Sequence, residues 1–442
     1  MIWNRRYLLQ KAKNLLWHLP KSLYFNLYYR RPASRLTLIG ITGTDGKTTT
    51  SSLVYQVLIN AGIKAGLVTT IGAKYNDQAI DTGLHLTSPD AAMIQRLLRQ
   101  MADAGITHVV LETTSHALDQ FRYFGCHFAV AGLTNTSHEH LDDFFTMDNY
   151  ILAKSKLFTH AHNCLLNKDD PSYPLISSKI KPKKITTYSV NQPSKLQAKN
   201  IKISPKLLRF NVGPYQFITD TIYRYQIYNI LLAFGICQKL KIPTQIFLDT
   251  IRHFPEIPGR RQELPNRYGF KTIIDFAHTP AALAQTLNSL KAKAITPGNL
   301  IAIFGATGGR DKSKRPLMGE TVASIANIAI VTADDTRQEN INQINQDIIE
   351  GFPATAQFAD HVQLGPTALS QISLKAKKNF VYFNVPNRQD AFNLAVRLAQ
   401  KGDTIIACGK GHETTILHGS TEYPWSETEA FRTAFRLKYG KI

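Results

Sequence analysis

The segment Gly40-Ile-Thr-Gly43-Thr-Asp-Gly46-Lys47-Thr48 constrains this chain more than any other. An apolar run, Leu36–Ile41, precedes it, and a stretch with helical spacing, Ser51–Ala61, follows it. Strand, glycine-rich turn and helix in that order make a phosphate loop. Glycines let backbone N–H groups ring the phosphates, at the positive end of the helix. Lys47 supplies a cation for the β- and γ-phosphates, and the Thr48 hydroxyl can ligate Mg²⁺. The strict P-loop spacing places a glycine where this chain has Ile41, so the loop is a variant. The bland alternative, a glycine-rich turn without a ligand, does not account for the flanking elements or the Lys-Thr pair.

A phosphate loop belongs to a parallel α/β sheet, and the rest of the chain has that texture. His108–Leu111, Phe128–Leu133, Thr272–Asp275, Leu300–Phe304, Ile328–Thr332 and Thr404–Ala407 read as short apolar strands, and Tyr228–Leu240 as a helix. Ligands bind at the carboxyl ends of such strands. Two strand ends carry groups suited to metal work. Glu112 closes one in Leu111-Glu-Thr-Thr-Ser-His116, and His140 follows another in Thr134-Asn-Thr-Ser-His-Glu-His140. Ile257-Pro258-Gly259 reads as a hinge between domains.

The chain has 442 residues, enough for about three domains. Its net charge of +20 predicts attraction to something anionic: nucleic acid, anionic lipid or a phosphorylated small molecule. The four cysteines are scattered with no C-x-x-C pair, which argues against a zinc ribbon or a disulfide framework and fits a reducing, cytoplasmic compartment. No apolar run approaches the roughly 18 residues of a membrane span, and the N-terminus does not read as a secretory signal.

Residues 1–35 stand apart as a basic aromatic arm. They hold eight Lys/Arg and no acid, with Trp3, Tyr7, Trp17, Tyr24, Phe25, Tyr28 and Tyr29 interleaved. Leu8, Leu15, Leu16 and Leu19 can share a helical face. One reading is an interfacial helix on anionic lipid, at the inner face of the membrane. The default reading is a helix that docks on its own domain through the aromatics and solvates its charges.

Taken together the motifs resemble the Mur ligases, the ATP-dependent amide-forming enzymes of peptidoglycan synthesis. The resemblance runs from about Leu36 to the C-terminus. It is strongest to the branch that adds the third amino acid to UDP-N-acetylmuramoyl-L-Ala-D-Glu. It rests on Gly43-Thr-Asp-Gly-Lys-Thr48, Thr87-Ser-Pro-Asp90, Glu112-Thr-Thr-Ser-His-Ala-Leu118, His140-Leu-Asp142 and Tyr150-Ile-Leu-Ala-Lys154. Further on come Pro258-Gly-Arg260, Asp275-Phe-Ala-His-Thr-Pro280, Gly308-Gly-Arg-Asp-Lys312, Asp334-Asp-Thr-Arg337 and Gly409-Lys-Gly-His-Glu413.

The resemblance implies roles. Gly43, Thr44, Asp45, Gly46, Lys47, Thr48 and Thr49 would hold the ATP phosphates. Thr48 and Glu112 would hold one Mg²⁺ and His140 would help hold a second. Lys154 matches a carbamylated lysine, which as an anion can sit beside two cations. Lys47, Glu112, His140 and Lys154 would thus form the catalytic set. Thr87, Ser88, Thr114, Gln120 and Arg122 match positions that hold the muramoyl peptide. Asn229, Arg260, Asp275, His278, Arg310 and Asp311 match positions that contact ATP or couple closure to it. Arg337 would pair with the distal carboxylate of the incoming amino acid, with Asp334, Gly409 and Glu413 nearby. Asp335 stands where the diaminopimelate-selecting form has Asn, and an extra carboxylate would suit a free ammonium instead, as on lysine. On balance meso-diaminopimelate is favoured over L-lysine.

The implied architecture is the arm at 1–35, a central P-loop α/β domain at 36–260 and a C-terminal Rossmann-like α/β domain at 261–442, closing on a hinge. Family members usually carry a uridine-binding domain ahead of the loop, whereas 39 residues precede Gly40 here. Uridine is then held differently, or is supplied with a domain by a partner, or is absent from a lipid-linked acceptor. Competing readings are a ligase on another carboxylate, of the folylpolyglutamate type, and an inactive basic nucleotide-binding protein at a membrane or nucleic acid. Intact Lys47, Glu112, His140 and Lys154 speak against lost chemistry, and nucleic acid rests on charge alone.

Overall fold

Leu38, Ile39 and Ile41 are fully buried, because the strand that carries them lies in the middle of a sheet covered on both faces. A strand covered twice needs apolar residues without alternation, which is why these runs read as continuous. The structure, a computed structural model, describes residues 5–70, 72–76, 78–80, 88–137, 139, 141–204, 207–220, 223–254, 257–291, 298–361 and 364–440. The chain forms two units, Met1–Pro255 and Glu256–Ile442.

The first unit is built on a nine-stranded sheet. In chain order its strands are β1 (Thr37–Thr42), β2 (Ala65–Thr69), β3 (Gly72–Tyr75), β4 (Gln78–Ile80), β5 (His108–Glu112), β6 (Phe128–Leu133), β7 (Ala161–Asn167), β8 (Ile185–Ser189) and β9 (Leu196–Gln197). Their spatial order is β4-β3-β2-β5-β1-β6-β7-β8-β9, parallel except for the β3 and β4 edge. Helices Lys47–Asn60 and Gln226–Lys239 pack on one face with Ile39, Ile41 and Val110. Helices Ala91–Asp103 and Met147–Thr159 pack on the other with Leu38, Val109 and Leu111. A small antiparallel sheet, β10 (Lys199–Ile203), β11 (Leu208–Val212) and β12 (Tyr215–Thr219), adds Phe210 and Phe217 to the first core.

The chain leaves β1 toward β2 and β5 on one side and later returns to β6 on the other. That reversal opens a crevice at the carboxyl end of β1. Register pairs Ile41 with Glu112 and Thr42 with Leu133, so the phosphate loop, Glu112 and the segment after β6 meet at one edge.

The second unit has a seven-stranded sheet of β13 (Arg260–Glu263), β14 (Lys271–Asp275), β15 (Leu300–Phe304), β16 (Ile328–Val331), β17 (Gln357–Phe358), β18 (Val381–Asn384) and β19 (Thr404–Cys408). The order is β13-β14-β19-β15-β16-β18-β17, with only β13 antiparallel. A hairpin, β20 (Thr415–His418) and β21 (Thr421–Pro424), follows β19. Gly259, expected in a hinge, packs its backbone against Gly411 and His412 at a left-handed φ of 66°.

One sequence expectation needs correcting and another is met in part. The helix after the phosphate loop starts at Lys47, not Ser51, because the threonines that weaken helix propensity are held by burial of Thr48, Thr50 and Ser51. The arm docks on the first unit with polar side chains as well as aromatics: Asn14, Ser22 and Asn26 are buried, Tyr7 meets Phe145 edge-on at 6.1 Å and Phe25 and Tyr29 are half-buried, whereas Trp17, Tyr24 and Tyr28 are exposed. Leu8, Leu15 and Leu16 are exposed together and Leu19 is half-buried.

Candidate active site

Two glycines shape the phosphate loop. Gly43 has φ of 149° and a Cβ there would lie 1.8 Å from Thr134 Oγ1. Gly46 has φ of 78° and a Cβ would lie 2.3 Å from Asn229 Oδ1. Asn229 is thereby pressed onto the loop, and its Nδ2 donates to Gln226 Oε1 at 2.8 Å. Gly46 then opens the helix Lys47–Asn60, whose first N–H groups are unpaired within the helix and point toward the loop's ligand side.

The loop is fixed from the β6 side. Thr134 Oγ1 donates to Asp45 O at 2.6 Å, and Asp45 N donates to Asn135 Oδ1 at 3.0 Å. Ser137 N donates to Thr44 Oγ1 at 3.0 Å, which also lies 3.1 Å from the Tyr150 hydroxyl. Lys47 Nζ folds back onto Thr44 O at 2.8 Å. Thr48 Oγ1 donates to Glu112 Oε2 at 2.9 Å, and Thr70 N reaches the same oxygen at 3.3 Å. A buried carboxylate and a hydroxyl at a phosphate loop are hard oxygen donors, the set that Mg²⁺ prefers. His140 and Thr87 lie outside the described residues.

Lys154 enters this edge from the helix Met147–Thr159. It is 1% exposed, its Nζ donates to Gly43 O at 2.7 Å, and it lies 4.2 Å from the centre of the Tyr150 ring. Burial, then the nearby Lys47 cation, hold its pKa well below the ordinary lysine value, against weaker opposing pulls from Glu139, Asp45 and Asp170.

Beside the loop lies a polar group of hydroxyls and an arginine. Ser88 Oγ and Thr114 Oγ1 are 3.2 Å apart. Arg122 donates to Ser88 O at 2.7 Å and to Gln120 Oε1 at 2.7 Å. Ser88, Thr114, Gln120 and Arg122 are thus brought together.

In the second unit, Asp275 ends β14 and accepts from Arg261 N and Ala277 N, both at 2.9 Å. The Arg260 guanidinium stacks 4.4 Å from the Phe276 ring centre, and His278 Nδ1 lies 2.8 Å from Phe276 O. Asp311 accepts from Ser313 N at 3.0 Å, and Arg310 precedes it, half-buried.

The carboxyl ends of β16 and β19 carry a charged cluster. Lys410 Nζ lies 2.7 Å from Asp335 Oδ1, 3.9 Å from Asp334 Oδ1, and in contact with Glu413 Oε2. Gly409, at φ of 112°, leaves no room for a Cβ beside Asp334 Oδ2. The carboxylates hold the Lys410 pKa above the ordinary lysine value despite burial, and burial pushes Glu413 up to about 7. Asp335 therefore shares Lys410 with Asp334 and Glu413, and also accepts from Leu417 N at 2.9 Å. Arg337, at φ of 51°, lines a cavity of about 490 Å³ with Thr336, Gln338, Asn340 and His418.

Lys410, Tyr150, Thr134 and Asn135 all stand inside motifs recognisable in the sequence, where nothing assigns them roles. Lys410 was marked by the acids around it in sequence, but the loop-fixing work of Thr134 and Asn135 needs the β1–β6 register to be seen.

Comparison with known proteins decides the family. The Mur ligase middle domain matches residues 41–237, and the Mur ligase glutamate ligase domain matches residues 259–411. A protein from Clostridium botulinum is 33% identical over 87% of this chain and 75% of its own length. This chain belongs to the Mur ligase family. It is an ATP-dependent amide-forming ligase by that membership. A relative from Geobacillus thermodenitrificans is 31% identical over 92% of this chain and 81% of its own. Both are named UDP-N-acetylmuramoyl-L-alanyl-D-glutamate–2,6-diaminopimelate ligase. A solved structure with that title superposes with a TM-score of 0.59 at 26% identity, covering 91% of this chain and 79% of the other. The folylpolyglutamate synthase/dihydrofolate synthase of Yersinia pestis shares the fold, with a TM-score of 0.64 at 15% identity, covering 89% of this chain and 90% of that one.

Proposed function

We propose that this ligase joins an amino acid, meso-diaminopimelate in preference to L-lysine, to the D-Glu carboxylate of UDP-N-acetylmuramoyl-L-Ala-D-Glu at the expense of ATP. The observation that carries the reading is the single edge where the phosphate loop, the Thr48–Glu112 pair and buried Lys154 meet. The names of the relatives supply the substrate.

A carboxylate oxygen of D-Glu attacks the γ-phosphorus and ADP leaves, giving an acyl phosphate. The free amine of the incoming amino acid then attacks the acyl carbon, loses a proton, and phosphate departs. The loop N–H groups and Lys47 hold the phosphates in line and offset their charge. Ser88, Thr114, Gln120 and Arg122 orient the acceptor, and Thr87 belongs with them by sequence. Thr48 and Glu112, with His140 and a carbamylated Lys154, would hold Mg²⁺, which when bound neutralises charge on the transferring phosphoryl group. Burial favours the neutral form of Lys154, the form whose amine adds to CO₂: the N–C bond forms and a proton is released. Asn229, Arg260, Asp275, His278, Arg310 and Asp311 would serve ATP. In the second unit Arg337 takes the distal carboxylate, and the excess of acid over Lys410 near Gly409 and Glu413 takes the ammonium end. The enzyme would work in the cytoplasm, with residues 1–35 at the membrane surface.

Phosphate release would be followed with ATP, Mg²⁺ and the UDP-muramoyl dipeptide, adding meso-diaminopimelate, L-lysine or neither, with product mass read in parallel. Turnover with diaminopimelate is expected. Turnover with lysine alone would overturn the specificity, and turnover with neither, in a protein that binds ATP, would overturn the acceptor.

A further inference from the structure

The arm is folded inside out. A helix that serves only its own domain turns its apolar stripe inward and its charges outward. Here the helical segment from Arg5 to Tyr28 presents Asn14, Ser22 and Asn26 to the protein and buries them. Beside an edge-on contact of Tyr7 with Phe145, its attachments are polar. Asn14 Nδ2 donates to Asp119 Oδ2 at 2.6 Å, with Lys11 on the other oxygen of the same carboxylate. Lys21 Nζ pairs with Asp90 at 3.0 Å, and Asn26 Nδ2 reaches Gln95 Oε1 at 3.3 Å.

Most of its leucines, with Trp17, Tyr24 and Tyr28, face outward, while Tyr7, Leu19 and Phe25 are half-buried. Leu9 is 61% exposed, Leu15 56%, Leu16 75%, Trp17 65%, Tyr24 59% and Tyr28 64%. A π-helical turn at Asn14–His18 widens the helix where Leu15, Leu16 and Trp17 come in succession. A stripe of this length is more than a scatter of exposed apolar residues on a soluble surface. The charge around it has one sign: eight Lys/Arg and no acid within residues 1–35. Arg5, Lys13, Arg30 and Arg31 are exposed. Leucines with Trp and Tyr, bordered by Lys and Arg, suit the headgroup layer of an anionic bilayer, where apolar side chains sink and cations stay at the phosphates. No helix among the described residues is long and apolar enough to cross a membrane, so the contact would be lateral.

We propose that the helix Arg5–Tyr28 lies in the surface of an anionic lipid bilayer through its outward apolar stripe. The acids that anchor its polar side, Asp90 and Asp119, lie two residues after Ser88 and one before Gln120. Binding therefore holds the proposed acceptor residues close to the membrane. The lipid contact stands apart from the acceptor assignment, and its test reads binding rather than turnover.

The test is co-sedimentation of the full chain with vesicles of phosphatidylcholine alone or mixed equally with phosphatidylglycerol, with tryptophan emission recorded. Expected are binding to the mixed vesicles at least tenfold tighter than to neutral ones, and a blue shift that Trp17→Phe removes. The double variant Leu16→Glu/Trp17→Glu should lose at least tenfold in binding, with an unchanged melting temperature and unchanged ATP binding, since both side chains are exposed. No binding to mixed vesicles overturns the proposal. So does binding that the double variant retains, which would come from net charge alone. A dimer in lipid-free solution that the double variant splits, without vesicle binding, would make the stripe a self-contact and overturn it equally. None of these outcomes depends on which acceptor is used.

Discussion

Lys154 and Lys410 are the same residue at the same depth, each 1% exposed, and the two units treat them in opposite ways. Lys154 has a backbone carbonyl, an aromatic ring and a second lysine near its amine. Burial and like charge favour its neutral form. Lys410 has three carboxylates around it, and their attraction outweighs the same burial. Depth alone thus does not set what a buried lysine does; acids in direct contact, as at Lys410, outweigh burial, whereas the weaker pulls of Glu139, Asp45 and Asp170 at Lys154 do not. A neutral buried amine is a nucleophile, suited to becoming a carbamate. A charged one is a fixed counter-ion, and it holds the end of β19 to that of β16.

The comparison breaks most readily on activity. Lys154→Met should lower phosphate release by about 10³-fold or more, as for loss of a group acting on the transferring phosphoryl. Its stability should stay within about 1 kcal/mol of the parent in urea titration, because relief of burial offsets a lost hydrogen bond. A large loss of stability would show that Lys154 is held as a cation and end the contrast.

Lys410→Met should do the reverse. It strands Asp334, Asp335 and Glu413 in a shared low-dielectric place, and urea unfolding should show a loss of roughly 3–5 kcal/mol. A neutral result would mean that water reaches these acids and that Lys410 is dispensable.

Gly46→Ala tests the loop without touching either lysine. The left-handed φ costs a non-glycine residue roughly 1–2 kcal/mol, and the new Cβ meets Asn229. ATP affinity by calorimetry should fall at least tenfold, since Asn229 and the loop must part.

The smallest effect is one of pH. Glu413 has its pKa pushed up to about 7 by burial, above the value near 4.3 of an unfolded chain. The folded state binds the extra proton, so this contribution is full below about 4.3 and is lost as pH rises through about 7. Glu413→Gln should therefore flatten the fall in melting temperature between pH 5 and pH 8. An unchanged slope would mean that Lys410 keeps Glu413 ionised throughout.

The sequence by itself determined the parallel α/β architecture, the phosphate loop and the family. Those rest on local facts: apolar runs that need cover on both faces, glycines at a strand-to-helix turn, and motifs in a fixed order. It also brought Ser88, Thr114, Gln120 and Arg122 into view as a group, through matched positions. Tertiary structure alone decided which groups neutralise one another. That Lys410, far along the chain, lies 2.7 Å from Asp335 and is shared with Asp334 and Glu413 is visible only in the fold. Which of the arm's side chains meet the domain was likewise open until Asn14, Ser22 and Asn26 were found buried, with Tyr7 against Phe145 and Trp17, Tyr24 and Tyr28 exposed. Charge state and facing depend on long-range neighbours, and the energy of a polar group is set by what surrounds it rather than by what precedes it in the chain.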